Sequence, residues 1–231
     1  MSWVKPPSER LLAVTHVVEP GPAVMRLEEA RDAGQIRDLL EASFPGYGEA
    51  LLVDRLRSDG DIDLALVAED QGVVIGYIAF SRLMIEGEGE PFRAAALAPL
   101  AVYPEYQQQG VATRLVREGH ACLAAMGITL SVVVGEPGYY GRFGYTHRRA
   151  ASFESEYHSS YLMALSFGAA PWEGRLFYAP AFGLLAPDDD GDAGYATKAP
   201  EPEAAAAAEA TSEAAPEAIA GTDDDAAEAD G

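Results

Sequence analysis

The feature that most constrains this chain is a change of apolar period within residues 97–126. Residues 97–102 form an apolar run broken by Pro99, which reads as a strand containing one residue unable to donate to a ladder. Residues 107–110 then read as a polar turn ending on Gly110, a residue free to take a positive φ and to let a ligand approach closely. Beyond it, Val111, Leu115, Val116, Cys122, Leu123 and Met126 fall on one helical face, and Gly127 supplies a stop. A strand entering a helix through such a turn aims unpaired N–H groups and the positive end of the helix dipole at one spot. That is an anion site, most naturally for phosphate.

The flanking segments surround this unit with a sheet. A short strand is expected near residues 24–27. A helix follows over residues 32–44, with Ile36, Leu39, Leu40 and Phe44 at helical spacing. A second helix, over residues 49–57, turns Leu51, Leu52 and Leu56 inward. Residues 64–69 and 73–83 are apolar runs joined by Asp70-Gln71-Gly72, a hairpin signal, and residues 92–102 supply a third antiparallel strand. Residues 129–134 then return as a strand parallel to it, through a right-handed crossover. Residues 150–157 and 161–165 read as two further strands joined near residues 158–160, and residues 176–182 as a last apolar segment. The fold class is α/β (α+β), with a mixed sheet.

The two standard phosphate signatures, G-x-x-x-x-G-K-[ST] and a G-x-G-x-x-G opening this helix, are absent. What fits is Gln107-x-x-Gly110-x-Ala112, which resembles the [RQ]-x-x-G-x-[GA] element of the GNAT superfamily of N-acetyltransferases. Leu100-Ala101-Val102-x-Pro104-x-Tyr106-Gln107 is similar to that family's fourth strand, and Gly135-Glu136-Pro137-Gly138-Tyr139-Tyr140-Gly141-Arg142-Phe143-Gly144-Tyr145 to its final helix. With a Met-Ala-Leu strand and Tyr-x-Pro-Ala-Phe downstream, the pattern resembles the YhbS-like bacterial branch; the likeness covers about residues 24–167.

The resemblance implies a GNAT fold: a twisted, mostly antiparallel sheet with a splayed parallel strand pair, flanked by about four helices. It implies acetyl-coenzyme A as cosubstrate, with no metal. Gln107, Gln108, Gln109, Gly110, Val111, Ala112 and Thr113 would take the pyrophosphate, and Pro99 with the backbone of Leu100, Ala101 and Val102 the pantetheine arm. An amide-bearing arm can complete an unpaired strand edge as an added strand would. Tyr140, four residues before Gly144, stands where many members place a tyrosine near the thioester sulfur, and a neutral phenol there could protonate the departing thiolate. Tyr139 is the alternative donor, and Arg142 is expected to cap its helix or meet a carboxylate. The family's first helix pair walls the acceptor site, making Glu49 the candidate carboxylate base, although a solvated helix-start residue is its blander reading. The implied reaction is direct attack of a primary amine, from a small molecule or a protein, on acetyl-coenzyme A. The alternative is a non-catalytic acyl-coenzyme A sensor engaging a partner through its acidic tail. A homodimer is compatible with the family.

Composition bears on the setting. The chain has 231 residues, 48% hydrophobic, with net charge −21. Residues 187–231 hold 14 acidic side chains against Lys198 alone, or −13, so the remainder carries only −8. Nothing there suggests a nucleic-acid-binding surface. The expected organisation is a flexible extension over residues 1–22, closed by Pro20-Gly21-Pro22, an acetyltransferase domain over 23–183, and a disordered acidic tail over 187–231. That tail reads as solvating, or as an arm for a basic partner or the coenzyme groove. The single cysteine, Cys122, fits a reducing cytoplasm and a core role. No run of 18 apolar residues and no secretory leader is found. His16, His120, His147 and His158 lack metal-ligand spacing.

Overall fold

The computed structural model describes residues 23–87 and 89–185; the extension over 1–22 and the acidic tail over 187–231 lie outside the described residues. The chain runs β1 (Val24–Leu27), α1 (Ala33–Ser43), α2 (Gly48–Asp59), β2 (Ile62–Asp70), β3 (Val73–Glu86), β4 (Phe92–Val102), α3 (Val111–Ala125) and β5 (Leu130–Val134). It continues through α4 (Pro137–Tyr140), α5 (His147–Ala150), β6 (Phe153–Glu154), β7 (Leu162–Ser166) and β8 (Gly174–Tyr178), ending in a 3-10 segment, Pro180–Leu185.

The sheet order is β1-β2-β3-β4-β5-β7, with β8 beside β3 and β6 beside β8. Pairing is antiparallel except for β4–β5 and the two-residue β6–β8 contact. β3 is long enough to take two partners on one edge: β2 along its first half and β8 at Leu83–Glu86. The β2–β3 hairpin closes on Gln71 (φ 49) and Gly72 (φ 86), consecutive left-handed residues whose twist matches that of the strands.

Both sheet faces are covered, so these strands read as continuous apolar runs whose alternate residues serve opposite cores. On one face Leu64, Leu66, Ile78, Phe80 and Leu97 meet Val111, Leu115, Val116 and Leu123 of α3, together with Tyr139, Tyr140 and Tyr145. On the other, Ala65, Val67, Tyr77 and Ala79 meet Ile36, Leu39, Leu40, Ala50 and Val53 of α1 and α2. Each fully buried aliphatic side chain contributes about 1.5–3 kcal/mol. At Gly119 of α3, an added Cβ would lie 2.4 Å from Phe80 Cε2, so the helix rides on β3 through a missing side chain.

Several expectations need correction. Leu51 is 52% exposed; the buried face of α2 is Glu49, Leu52, Val53 and Leu56, rotated by one position. Met126 is exposed and Gly119 takes its place on the buried face of α3. Residues 150–157 do not make a strand joined to the next. A helical turn, α5, capped by the Thr146 side chain, ends on Ala150, and β6 keeps only two residues. The tertiary partner decided this, because β7 pairs with β5, and β8 is left to pair with β6 and β3.

Candidate functional site

β4 ends at Val102, and after a 3-10 turn at Pro104–Tyr106 the chain reaches α3 through Gln108 (φ 60) and Gly110 (φ 79). Two glutamines stiffen the turn from within. Gln107 Nε2 donates to Val102 O at 3.0 Å, and Gln109 Nε2 to Glu105 O at 2.7 Å. The first i to i−4 bond is Arg114 N to Gly110 O, 3.0 Å, so the N–H groups of Val111, Ala112 and Thr113 have no intrahelical acceptor. An added Cβ at Gly110 would meet nothing within 4 Å. Glycine is needed there for its backbone angle, and the space before it is open. Beside the same helix, a cleft of about 570 Å³ is lined by Ala23, Val24, Met25, Arg114, Arg117 and Glu118. The polar face of α3 gave no sequence signal for that cleft, because β1 forms its other wall.

β4 and β5 pair only at Ala95↔Ser131 and Ala96↔Val132. Beyond that point β4 follows β3 as far as Val102↔Gly76, while β5 follows β7 to Val134↔Leu162. The two parallel strands therefore part. The register of β4 against β3 slips between Leu97 and Leu100, so a bulge spans Ala98 and Pro99. A bulge bends its strand, and proline removes a donor, which accounts for the divergence at this place. Along Leu100, Ala101 and Val102, alternate residues turn backbone N–H and C=O groups toward the gap.

The α4 turn follows β5, and its tyrosines pack in one cluster with Leu97 of β4 and Val133 of β5. Pro137 occupies its first turn, and the Glu136 side chain accepts from Gly138 N at 3.4 Å. Tyr140 is 7% exposed, and its ring lies against Gly135, where a Cβ would sit 2.4 Å from Cε2. Burial pushes its phenol well above the ordinary value, keeping it protonated at any physiological pH. Among the described residues its hydroxyl makes no hydrogen bond. The neighbouring Tyr139 has its hydroxyl buried without a hydrogen-bond partner among the described residues, and the Arg142 guanidinium stacks 4.5 Å over its ring. Arg142 Nε donates to Tyr139 O at 3.2 Å, the expected capping contact.

Glu49 departs from the solvated expectation: it is 8% exposed, and burial raises its carboxyl pKa. It shares the inward face of α2 with Leu52 and Leu56, which pack in one cluster with Ala96 and Val132, against Ala98 and Val134. Tyr140 belongs instead to the α3-side cluster, with Val133 and Leu97. The two candidates thus approach the divergence from opposite faces of the sheet and do not touch. No burial signal for Glu49 exists in one helix turn of sequence; only the sheet beneath α2 provides it. Among the described residues no cluster of His, Cys, Asp and Glu could hold a metal. No described helix is long and apolar enough to cross a membrane.

Comparison with known proteins gives concordant findings. The sequence pattern of the acetyltransferase (GNAT) domain family matches residues 25–148. The uncharacterized N-acetyltransferase YhbS of Escherichia coli is 44% identical over 123 residues, 53% of this chain and 72% of that protein. YjhQ of the same organism, also an uncharacterized N-acetyltransferase, is 38% identical over 121 residues, 52% of this chain and 67% of its own. Among solved structures, E. coli YhbS in complex with CoA superposes with a TM-score of 0.66 at 35% identity, covering 73% of this chain and 96% of that one. A GNAT acetyltransferase from Brucella melitensis in complex with acetyl-CoA reaches 0.59 at 34% identity, covering 69% and 97%.

Proposed function

Because this chain belongs to the GNAT acetyltransferase family, we propose that residues 23–183 form an N-acetyltransferase domain that moves the acetyl group of acetyl-coenzyme A to a primary amine. The observation that carries this reading is the divergence of β4 from β5 beside a helix N-terminus with three free N–H groups. The Gln107–Thr113 turn would hold the pyrophosphate through backbone donors and the helix dipole. The pantetheine arm would enter the gap and pair with the edge of Leu100, Ala101 and Val102. The complexes of E. coli YhbS with CoA and of the B. melitensis protein with acetyl-CoA support the donor.

The amine reaches the thioester carbon from the α2 side. As its nitrogen forms the new C–N bond, the C–S bond breaks and the electron pair leaves on sulfur. Tyr140, kept neutral by burial, donates its hydroxyl hydrogen to that sulfur. An ordinary thiol is a stronger acid than this phenol, so the contribution is a hydrogen bond to the developing thiolate. The thiolate takes its proton from solvent as coenzyme A leaves, and Tyr140 stays protonated throughout. The proton from the amine passes, through water, to Glu49, whose raised pKa makes it a better base than an exposed carboxylate. Holding donor and acceptor in line supplies much of the remaining rate. With one cysteine the chain can form no internal disulfide, which fits a cytoplasmic setting.

Calorimetric titration of acetyl-coenzyme A into wild type and Gly110→Glu tests the donor assignment. Micromolar binding is expected for wild type and none for the variant, because the added carboxylate repels the phosphates. The turn has room for the side chain, so folding costs only about 1–2 kcal/mol of left-handed strain. No wild-type binding would remove the assignment. Tyr140→Phe should lower kcat about 10²-fold at unchanged acetyl-coenzyme A affinity. An unaltered kcat would remove Tyr140 from the mechanism.

A further inference from the structure

Tyr145 is 1% exposed inside the α3-side core, yet its hydroxyl is engaged twice. Ser131 Oγ lies 2.8 Å from it and His120 Nε2 3.1 Å. Three polar groups placed in an apolar cluster would each cost about 1–3 kcal/mol if unpaired. Here they satisfy one another. His120 is ringed by Phe80, Phe143 and Phe167, with centroids 5.1–6.5 Å away, and its burial holds the imidazole neutral. A neutral imidazole and a serine hydroxyl are what a single phenol, with one proton and two lone pairs, can bond together.

The three groups come from the three elements that frame the proposed coenzyme cleft. Ser131 is on β5, in the register pair Ala95↔Ser131, one pair before the strands part. His120 is on α3, the helix whose N-terminus is the anion site. Tyr145 follows the turn carrying Tyr140, and the two rings meet edge to face at 5.9 Å and 81°. On its other side Tyr140 is stopped by the backbone of Gly135. Tyr139 meets Tyr140 edge to face as well, at 5.0 Å and 81°, so the Tyr140 ring is held between Tyr139, Tyr145 and Gly135.

We infer that Tyr145 is a positioning residue for acyl transfer: Ser131 and His120 pin its hydroxyl, and its ring holds the Tyr140 phenol at the mouth of the β4–β5 gap. This rests on Tyr140 donating to the coenzyme sulfur. Nothing in the role requires Tyr145 to touch substrate.

Tyr145→Phe keeps the ring and removes only the two bonds. The readout that a purely structural role would not move is the thiol pKa of bound coenzyme A, followed by thiolate absorbance in the ultraviolet. Tyr140→Phe should raise that pKa, since the thiolate loses its donor. Tyr145→Phe should raise it toward the same value, and the double variant no further. In turnover with hydroxylamine, a small amine needing no dedicated acceptor pocket, Tyr145→Phe should lose about tenfold in kcat with little change in KM for acetyl-coenzyme A. His120→Gln, which keeps a side-chain hydrogen-bonding group, should retain most of kcat, and His120→Leu should not.

A Tyr145→Phe protein with wild-type thiol titration and kcat, and merely a lower Tm, would overturn the inference alone. So would an equal further loss in the Tyr140→Phe background, which would make the two residues independent. If Tyr140→Phe itself left the thiol titration and kcat unchanged, the sulfur-donor reading would fail, and the positioning role with it.

Discussion

Glu49 shows what a single position gains from its surroundings. In sequence it is an acidic residue at a helix start, where the helix dipole alone would explain it. In the folded protein it is buried on the face of α2 that lies over the sheet, and its carboxyl pKa is raised by desolvation. Two expected outcomes follow for Glu49→Gln. The rate should fall and its acid limb should flatten, because the base form appears only as pH rises through the raised pKa; a pH profile of kcat/KM checks this. Stability should move the other way. A carboxyl whose folded pKa exceeds its unfolded one contributes full stability below the unfolded value and loses it as pH rises through the folded value. Gln imitates the protonated form, so the variant should melt higher than wild type at pH 7, with the gap closing in acid below the ordinary carboxylate range. Equal melting temperatures at pH 7 would mean that the carboxylate is solvated after all.

At the scale of elements, the site depends on how closely α3 approaches β3. Gly119 permits that approach, since any Cβ would collide with the Phe80 ring at 2.4 and 2.8 Å. Gly119→Ala should push the helix off the sheet, cost about 1–3 kcal/mol in denaturant unfolding and weaken acetyl-coenzyme A binding as the turn at Gly110 shifts. Adding Phe80→Leu, which removes the colliding ring atoms, should recover much of both. If the double variant is as weak as the sum of the singles, the contact does not set the helix position. The bulge at Ala98 and Pro99 acts at the same scale. It ends β4–β5 pairing two residues after it begins, and so determines where a ligand could enter the sheet.

For the whole molecule, charge is the property that the folded core does not account for. The full chain carries −21, of which residues 187–231 contribute −13. Acetyl-coenzyme A is itself a polyanion, so that charge opposes its approach at long range. A chain ending at residue 186 should bind acetyl-coenzyme A a few times more tightly at low ionic strength. The difference should fade as salt brings the Debye length toward about 3 Å at 1 M. Equal affinities at every salt concentration would show that these residues do not influence the coenzyme. Much of the architecture was legible beforehand from local signals. The period change at Gly110, the Asp70-Gln71-Gly72 hairpin and the Gln107-x-x-Gly110-x-Ala112 pattern are written in contiguous residues, because turns, caps and helix faces are set by neighbours a few positions apart. Residues 150–157 and Leu51 depart from the local pattern for the complementary reason, since strand partners and the buried side of a short helix are chosen by distant segments. The pinning of Tyr145 by Ser131 and His120, the burial of Glu49 and the parting of β4 from β5 likewise join residues far apart in the chain. Sequence by itself determined the strand, the turn and the helix whose first N–H groups lack an intrahelical acceptor; only the tertiary structure decided which side chains lie beside the gap and in what electrostatic surroundings.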